Sequence, residues 1–284
     1  MAGIAWVNGK LLPPDQPAIS PLDGGFMYGE GLFETMRTYR GRVFRLAQHL
    51  ERLLIAAAEL SFRPPTGQAL ARAVGEAVDA GGLADASVRL TVTPGMAGSP
   101  SPTIVVLVRP LALPSADLYE SGCVAVSVPA GQPPDSALRR IKSLNYLDKL
   151  LAQRTAAQRG AHEAILVDSD GCVVEGAMRN ILAVFGRELA TPPLSRGFLP
   201  GITRQTVLEI ARASKLRCRE RDIALTELYT ADECFLTSSL AEILPVRSVD
   251  GNEMRDPAPG AATIALTAAY RELVAREIGS SPDR

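Results

Sequence analysis

Alternating and helical patterns of apolar residues divide the first 112 residues into short strands and two helices. Asn8-Gly9 separates two short runs, residues 5–7 and 10–12, and this dipeptide predicts a tight β-hairpin. Further strands are predicted over residues 31–39, 42–45, 87–93 and 103–109, and helices over residues 46–60 and 67–79. These elements predict a small N-terminal α/β domain over residues 1–112.

The pattern resumes after a polar segment, residues 113–122, which predicts an interdomain linker because it contains proline and glycine. Strands are predicted over residues 123–128, 180–184 and 233–237, a hairpin about 169–171, and helices directly after Lys142, over 203–213 and over 261–278. They predict a larger C-terminal α/β domain over residues 123–284. The chain is therefore predicted to be an α+β protein of two domains.

Composition excludes several classes of function. The 284 residues carry a formal net charge of −1, which gives no electrostatic basis for binding nucleic acid or an anionic membrane. No apolar run approaches the roughly 20 residues of a membrane span, and no signal peptide is recognisable. The four cysteines are widely spaced and the two histidines form no cluster with them. We expect free thiols in a cytoplasmic protein and no transition-metal site.

Lys142 and Glu175 are the first candidates for chemistry. Lysine occurs only at positions 10, 142, 149 and 215. Lys142 has apolar and small neighbours, and a desolvated lysine loses its proton readily and can form a Schiff base with an aldehyde cofactor. Glu175 follows two valines, and a carboxylate there could hold the ring nitrogen of pyridoxal phosphate protonated. A solvated lysine near a helix start and an exposed glutamate are the simpler alternatives.

Three further segments could bind a phosphate. Gly201-Ile202-Thr203 opens a predicted helix, whose first amides lack intrahelical partners. Thr237-Ser238-Ser239 supplies hydroxyls after a buried strand, and Arg52 could supply a charge-assisted hydrogen bond. An ordinary N-cap, an ordinary turn and a helix-surface arginine are the corresponding alternatives.

Together these segments resemble the fold type IV pyridoxal-phosphate enzymes, also called class IV aminotransferases. The resemblance covers nearly the whole chain and consists of five segments in order. They read SPLDGGFMYGEGLFETMRTYRGRVFRLAQHLERL, IKSLNYL, EAILVDSDGCVVEGAMRNI, FLPGITRQTVLEIA and ADECFLTSSLAEILPV. Each segment alone is a weak signal, but five in family-like spacing are highly specific. The resemblance implies pyridoxal 5'-phosphate between two domains, amino-acid and keto-acid substrates, and a homodimer whose partner subunit caps the site.

The resemblance also implies a role for individual residues. Lys142 corresponds to the Schiff-base lysine that shuttles the proton, and Glu175 to the residue that binds the pyridine nitrogen. The remaining cofactor-binding positions are Arg52, Tyr146, Asn180, Leu199, Ile202, Thr203, Ser238 and Ser239. The substrate-contacting positions are Tyr28, Phe33, Arg37, Arg89, Leu240 and Ala241. Among these, Arg37 and Arg89 are the candidates for binding a substrate carboxylate, and either could instead be a structural arginine.

The family contains branched-chain aminotransferases, D-amino-acid aminotransferases and aminodeoxychorismate lyases, and this sequence departs from each. Branched-chain enzymes typically have glycine where Thr35 stands and one more residue between lysine and tyrosine. The loop from Pro94 to Pro102 contains neither the arginine nor the histidine of the D-amino-acid enzymes. We expect an aminotransferase that favours apolar L-amino acids over D-aspartate. A lyase that releases pyruvate and forms 4-aminobenzoate is the first alternative, and a non-catalytic phosphate-ligand-binding protein is a remote one.

Overall fold

The structure is a computed structural model that describes residues 3–16, 18–98, 101–214 and 216–279. Its contacts divide the chain into two compact units. The first comprises residues 1–112, Ile141–Asn145 and the residues from Arg276 onward, and the second comprises Leu113–Arg140 and Tyr146–Ala275. The first unit is therefore built from three separate stretches of chain, which a division at a single linker does not provide for. The domain boundaries drawn from the sequence stay a prediction.

The first unit contains a six-stranded antiparallel sheet and three helices. Its elements are β1 (Ile4–Val7), β2 (Lys10–Leu12), α1 (Gly24–Tyr28), β3 (Leu32–Tyr39), β4 (Arg42–Val43), α2 (Leu46–Glu59), α3 (Gly67–Gly81), β5 (Ala86–Thr93) and β6 (Thr103–Pro110). The strand order is β2-β1-β6-β5-β3-β4. The hairpin predicted at Asn8-Gly9 is confirmed, and both glycine and asparagine adopt the positive φ that such a turn needs.

The two faces of this sheet differ in character. Helices α2 and α3 pack against the sheet, and Leu32, Met36 and Leu90 are almost completely buried. Side chains alternate between faces along a strand, so Phe33 and Arg89 lie on the opposite face. The register pairs Thr35 with Arg89, so Thr35 lies on the same face of the sheet as Phe33 and Arg89. The face without the two long helices therefore carries three of the candidate substrate residues, Phe33, Arg37 and Arg89.

The second unit contains a mixed nine-stranded sheet with helices around it. Its elements are α4 (Ala116–Glu120), β7 (Cys123–Pro129), α5 (Ala137–Arg140), α6 (Leu147–Gln158), β8 (Glu163–Val167), β9 (Val173–Gly176), β10 (Asn180–Phe185), β11 (Glu188–Thr191), α7 (Ile202–Ala213), β12 (Arg217–Glu220), α8 (Leu225–Leu228), β13 (Glu233–Ser238), β14 (Glu242–Val249), β15 (Asn252–Glu253) and α9 (Ala261–Gly279), the last of which ends among residues of the first unit. The order is β12-β11-β10-β13-β14-β7-β8-β9, with β15 paired to β14.

A register shift in this sheet directs Glu175 toward helix α6. The pairing of β8 with β9 is irregular between Leu166 and Val167, and Glu175 stands opposite Leu166. Leu166 belongs to the same apolar cluster as Ala152 and Ala156 of α6. Directly paired residues of an antiparallel ladder share a face, so the bulge turns the Glu175 side chain to the side that α6 covers.

Helix α4 and several strands of the second unit have no counterpart among the elements predicted from the sequence. Residues 113–122, predicted as a linker, contain α4 and group with the second unit, because Leu118 and Tyr119 pack on its core and Tyr119 donates to the Ala241 carbonyl at 3.1 Å. Strands β11, β12 and β14 were not predicted.

No helix in the described part of the chain is both long enough and apolar enough to span a bilayer.

Candidate active site

Lys142 lies in an extended segment and not at the start of a helix, so that expectation was wrong. The backbone N–H of Phe33 donates to the Lys142 carbonyl at 2.9 Å, and the N–H of Leu144 donates to the Gly31 carbonyl at 2.9 Å. Helix α6 begins only at Leu147. Backbone groups beside β3 take the hydrogen bonds that a helix would need, and they hold the lysine at a defined position along that strand.

Two cations approach the ring of Phe33. The Lys142 Nζ lies 4.4 Å from the ring centroid, and the Arg89 Cζ lies 3.7 Å from it. Both distances are within the range of cation–π attraction. We call Phe33, Arg89 and Lys142 the Phe33 cluster. Arg37 has a different environment, since its Cζ lies 4.4 Å from the centroid of the Tyr39 ring. The cluster therefore joins a primary amine, a guanidinium and an apolar ring on one surface.

Arg52 forms a buried triad with Glu34 and His49, which sequence reasoning missed. The Arg52 Nε and Nη2 donate to the two Glu34 oxygens at 2.8 and 2.6 Å, and His49 Nδ1 lies 2.7 Å from Glu34 Oε2. Burial alone would raise the pKa of Glu34, but Arg52 and His49 outweigh it and lower the pKa to about 2. Burial also lowers the pKa of His49, so a neutral ring donates its Nδ1–H to the carboxylate.

The triad orients Arg52 before any ligand is present. A guanidinium has five N–H donors, so an arginine held by a carboxylate on one edge can also donate to an anion. Glu34 follows two apolar residues, Leu32 and Phe33, as Glu175 follows two valines. It lies within the first of the five quoted family segments, where it could have been found.

Glu175 is buried and bound through both oxygens. The Lys149 Nζ donates to Oε1 at 2.7 Å, and the Asn180 Nδ2 donates to Oε2 at 3.2 Å. The same Asn180 amide donates to the Leu199 carbonyl at 3.0 Å. We call Lys149, Glu175, Asn180 and Leu199 the Glu175 cluster. Glu175 is thus the buried carboxylate that the sequence suggested, with a lysine partner that the sequence did not suggest.

Helix α7 begins beside this cluster. A Cβ added to Gly201 would lie 1.8 Å from the Asn180 Oδ1, so only glycine fits between the helix start and the amide. Gly201 is the N-cap and no side chain caps this end. Ile202 and Thr203 are the first two residues of the helix, and both are buried. The first amides of a helix are suited to an anion, and here they lie next to the residue that also binds Glu175.

The turn between β13 and β14 supplies hydroxyl groups. Thr237 is paired with Asn180 in the sheet, and its buried Oγ1 has no hydrogen-bond partner among the described residues. The Ser238 Oγ accepts from the Ala241 N–H at 3.2 Å, which closes the turn that contains Ser239 and Leu240. Ala241 itself is buried. The pairing of Thr237 with Asn180 therefore places this turn at the end of β10 where Asn180 lies.

The two candidate tyrosines occupy different environments. Tyr146 is the N-cap residue of α6, the Lys149 Nζ lies 5.4 Å from its ring centroid, and burial raises its pKa. Tyr28 ends helix α1 and is 71 % exposed. Asp23 fixes this short helix by accepting from the Gly25 N–H at 2.8 Å and from the Thr93 hydroxyl at 2.9 Å. Tyr28 is thus presented outward on a well-anchored helix.

The donor set of the second unit fits a phosphorylated pyridine. A buried carboxylate suits a protonated ring nitrogen, an uncapped helix start suits a phosphate, and Asn180 joins the two. The orphaned hydroxyl of Thr237 next to Asn180 is a further donor that a bound ligand would satisfy.

The comparison with protein-family models decides the family. Residues 31–249 match the model for the amino-transferase class IV family. This span is more than half of the chain and includes the Phe33 cluster, the Glu34 triad and the Glu175 cluster. The chain belongs to the class IV aminotransferases. The resemblance stated from the sequence is therefore confirmed.

Curated relatives of this aminotransferase have diverse names. A protein of Methanocaldococcus jannaschii named "Putative branched-chain-amino-acid aminotransferase" is 36 % identical over 277 residues, 94 % of this chain and 95 % of that protein. A D-alanine aminotransferase of Bacillus licheniformis is 31 % identical, with 95 % of this chain and 96 % of that one covered. An aminodeoxychorismate lyase of Bacillus subtilis is also 31 % identical, with 94 and 93 % covered.

Solved structures agree with this membership. The branched-chain amino acid aminotransferase of Escherichia coli has a TM-score of 0.91 at 28 % identity and covers 100 % of this chain and 97 % of its own. A PLP-bound hypothetical aminotransferase from Mycobacterium tuberculosis has a TM-score of 0.87 at 26 % identity and covers 96 and 99 %. The α+β, fold type IV architecture and the pyridoxal-phosphate cofactor predicted from the sequence are confirmed. The protein is a pyridoxal-phosphate-dependent aminotransferase.

Proposed function

We propose that this aminotransferase moves the amino group of an amino acid with an apolar side chain to a 2-keto acid. The Phe33 cluster carries the proposal, because it joins the Lys142 amine to one guanidinium and one apolar ring. Arg89 pairs with Leu107 in the sheet, which adds an aliphatic side chain to the same row. Beside the Lys142 amine, one guanidinium on an apolar surface suits a substrate with one carboxylate and a hydrocarbon side chain.

The chain's residues divide the work on the cofactor. When bound, pyridoxal phosphate supplies an aldehyde that takes up the amino group and a ring that delocalises negative charge. Lys142 would hold that aldehyde, and Glu175 would hold a proton at the ring nitrogen. Arg52, the Ile202 and Thr203 amides and the Ser238 and Ser239 hydroxyls would bind the phosphate. Leu199 would contact the ring, and Tyr146 and Asn180 would contact its hydroxyl side.

Proton transfer is assigned to Lys142. With the cofactor and substrate bound, the Lys142 Nζ would act as general base and then as general acid, taking the proton from the substrate α-carbon and giving it back. The backbone hydrogen bonds to Gly31 and Phe33 fix the main chain from which the Lys142 side chain extends. Arg89 holds the α-carboxylate, and Arg37, Tyr28, Leu240 and Ala241 line the substrate's path.

Single-turnover rates with L-leucine, D-alanine, D-aspartate and L-glutamate test the substrate class. We expect L-leucine to be fastest in the wild type. Arg89→Leu should raise the L-leucine concentration for half-maximal rate by about 10- to 100-fold, because a charge-assisted hydrogen bond contributes about 1.5–3 kcal/mol. Arg37→Leu is the matched control and should change it less. A D-aspartate rate far above the others would refute the proposed substrate.

Aminodeoxychorismate lyase is the second candidate function. The relative from Bacillus subtilis with that name covers almost the whole chain at 31 % identity. The same lysine would then serve the release of pyruvate and the formation of 4-aminobenzoate. Formation of 4-aminobenzoate from aminodeoxychorismate, without transamination of any amino acid in the panel, would favour this candidate over the first.

We also propose a homodimer, on the evidence of an anchored apolar surface. Leu22, Phe26, Met27 and Tyr28 are all exposed, and Phe26 is 75 % exposed. Monomeric proteins rarely display neighbouring large apolar side chains on a rigid element. We call these four residues the α1 patch. A second copy of this chain seated on the α1 patch would bury these four side chains.

Sedimentation velocity tests the dimer. The wild type should sediment at twice the mass of the chain, and Phe26→Asp should shift it toward the monomer, because a charge in an apolar interface costs several kilocalories per mole, about 2–5. Ile55→Asp is the control, since Ile55 is exposed on helix α2 and outside the α1 patch. A monomeric wild type, or equal effects of the two variants, would contradict the proposed interface.

A cytoplasmic location is proposed from the thiols. All four cysteines are free, and Cys123 and Cys234 are buried. Burial raises the pKa of the Cys123 thiol to about 12, so it remains a protonated, unreactive side chain. Four unpaired cysteines are usual for a protein in a reducing compartment.

A further inference from the structure

Lys149 is a buried cation that the proposed mechanism does not use. It lies on helix α6, and its side chain is about as buried as that of Glu175, to which it donates at 2.7 Å. Burial would lower the pKa of Lys149, but the Glu175 carboxylate, together with Tyr146 and Asp148, outweighs burial and raises it. Lys149 is therefore an ammonium ion at neutral pH.

Glu175 accepts a hydrogen bond on each of its two oxygens. Lys149 occupies one site on Oε1 and Asn180 one site on Oε2. A carboxylate offers about four acceptor sites, which is more than these two donors use. The negative charge of the Glu175 carboxylate is already offset by the Lys149 ammonium. A protonated ring nitrogen beside this carboxylate would therefore be attracted less strongly than by an isolated carboxylate.

We propose that Lys149 is a positioning residue that weakens the hold of Glu175 on a proton at the cofactor's ring nitrogen. This inference rests on the proposed contact between Glu175 and that nitrogen. Lys149 fixes the orientation of the carboxylate and neutralises its charge within the ion pair. Asn180 binds the other oxygen and, being neutral, leaves the charge unchanged. The strength of the contact with the ring nitrogen would then depend on Lys149 of helix α6 as well as on Glu175 of β9.

The affinity of the apoprotein for two cofactors measures this effect. Pyridoxal phosphate is compared with its 1-deaza analogue, in which C–H replaces the ring nitrogen and the aldehyde, hydroxyl and phosphate are retained. The ratio of the two dissociation constants reports on the ring nitrogen alone. In Lys149→Met the preference for pyridoxal phosphate should rise about tenfold, because a nearby like charge shifts a pKa by at least about one unit.

Two further variants separate charge from structure. Lys149→Gln retains a donor to Glu175 without the charge and should raise the preference as Lys149→Met does, which keeps the test valid if the methionine variant fails to fold. Lys149→Arg retains the charge and should resemble the wild type. Thermal unfolding of each apoprotein verifies that the variants are folded. An unchanged ratio in both neutral variants would overturn the proposal.

The double variant Glu175→Gln with Lys149→Gln distinguishes this failure from failure of the underlying contact. It removes both charges of the pair together and strands neither. If the Glu175 carboxylate contacts the ring nitrogen, the rise in preference seen in Lys149→Gln should disappear in the double variant. A rise of the same size in the double variant would show that the Glu175 charge does not act on the nitrogen, and it would overturn the proposal at its premise.

Discussion

Replacing Lys142 by alanine is expected to abolish turnover and remove the visible absorption band of the holoprotein. Lys142 combines the covalent contact to the cofactor with both proton transfers, and loss of general acid–base catalysis alone costs about 10²- to 10⁴-fold. We expect a rate reduction at or beyond the upper end of this range. Absorption spectra and single-turnover rates with L-leucine measure the two effects separately.

Lys10 provides the matched control for this variant. It is an exposed lysine on β2, and Lys10→Ala should leave the spectrum and the rate unchanged. Lys142→Ala should still bind the cofactor through its phosphate, so the apoprotein should take up pyridoxal phosphate without the original band. Retention of the band and of a rate within tenfold of the wild type would remove Lys142 from the proposed role.

Removing the carboxylate of Glu175 should have the second-largest effect. A glutamine cannot hold a proton at the ring nitrogen, so the α-proton transfer should slow on the order of 10²- to 10³-fold, as for loss of other aligned electrostatic contacts. Glu175→Gln alone would strand the buried Lys149 ammonium, and breaking a buried ion pair costs about 3–5 kcal/mol. The variant is therefore made with Lys149→Gln and compared with Lys149→Gln alone.

The readout is the single-turnover rate with L-leucine, measured with hydrogen and with deuterium on the α-carbon. A deuterium effect identifies proton transfer as the measured step. Cofactor affinity should change much less than the rate, since the phosphate contacts are untouched. A rate within threefold of the Lys149→Gln reference would show that Glu175 has no part in this step.

Elements with a clear period were predictable, and those without one were not. Helices α2 and α7 and strands β3, β5 and β6 lie close to their predicted bounds, since each has apolar residues on one face. Strand β12 reads RCRE and is an exposed edge strand, so no apolar pattern marks it. Strand β14 contains Pro245, a residue that ordinarily argues against a strand interior.

The candidate site divides in the same way. The family segments gave the identities of the candidate residues, but not their partners. The ion pair between Lys149 and Glu175 joins a helix to a strand 26 positions later, and it depends on a bulge that no local pattern records. The position of Lys142 also depends on tertiary structure, because the backbone groups that hold it belong to a strand more than a hundred residues earlier.

The three-stretch construction of the first unit has a consequence for synthesis on the ribosome. Arg42 donates to the Ile278 carbonyl at 2.9 Å, and Arg45 contacts Glu277 at 3.0 Å, so the first unit is finished only when residues near 278 have emerged. A nascent chain of 112 residues would expose the Phe33 N–H and the Gly31 carbonyl until the lysine segment arrives. The reactive amine is thus added late to a scaffold that was translated early.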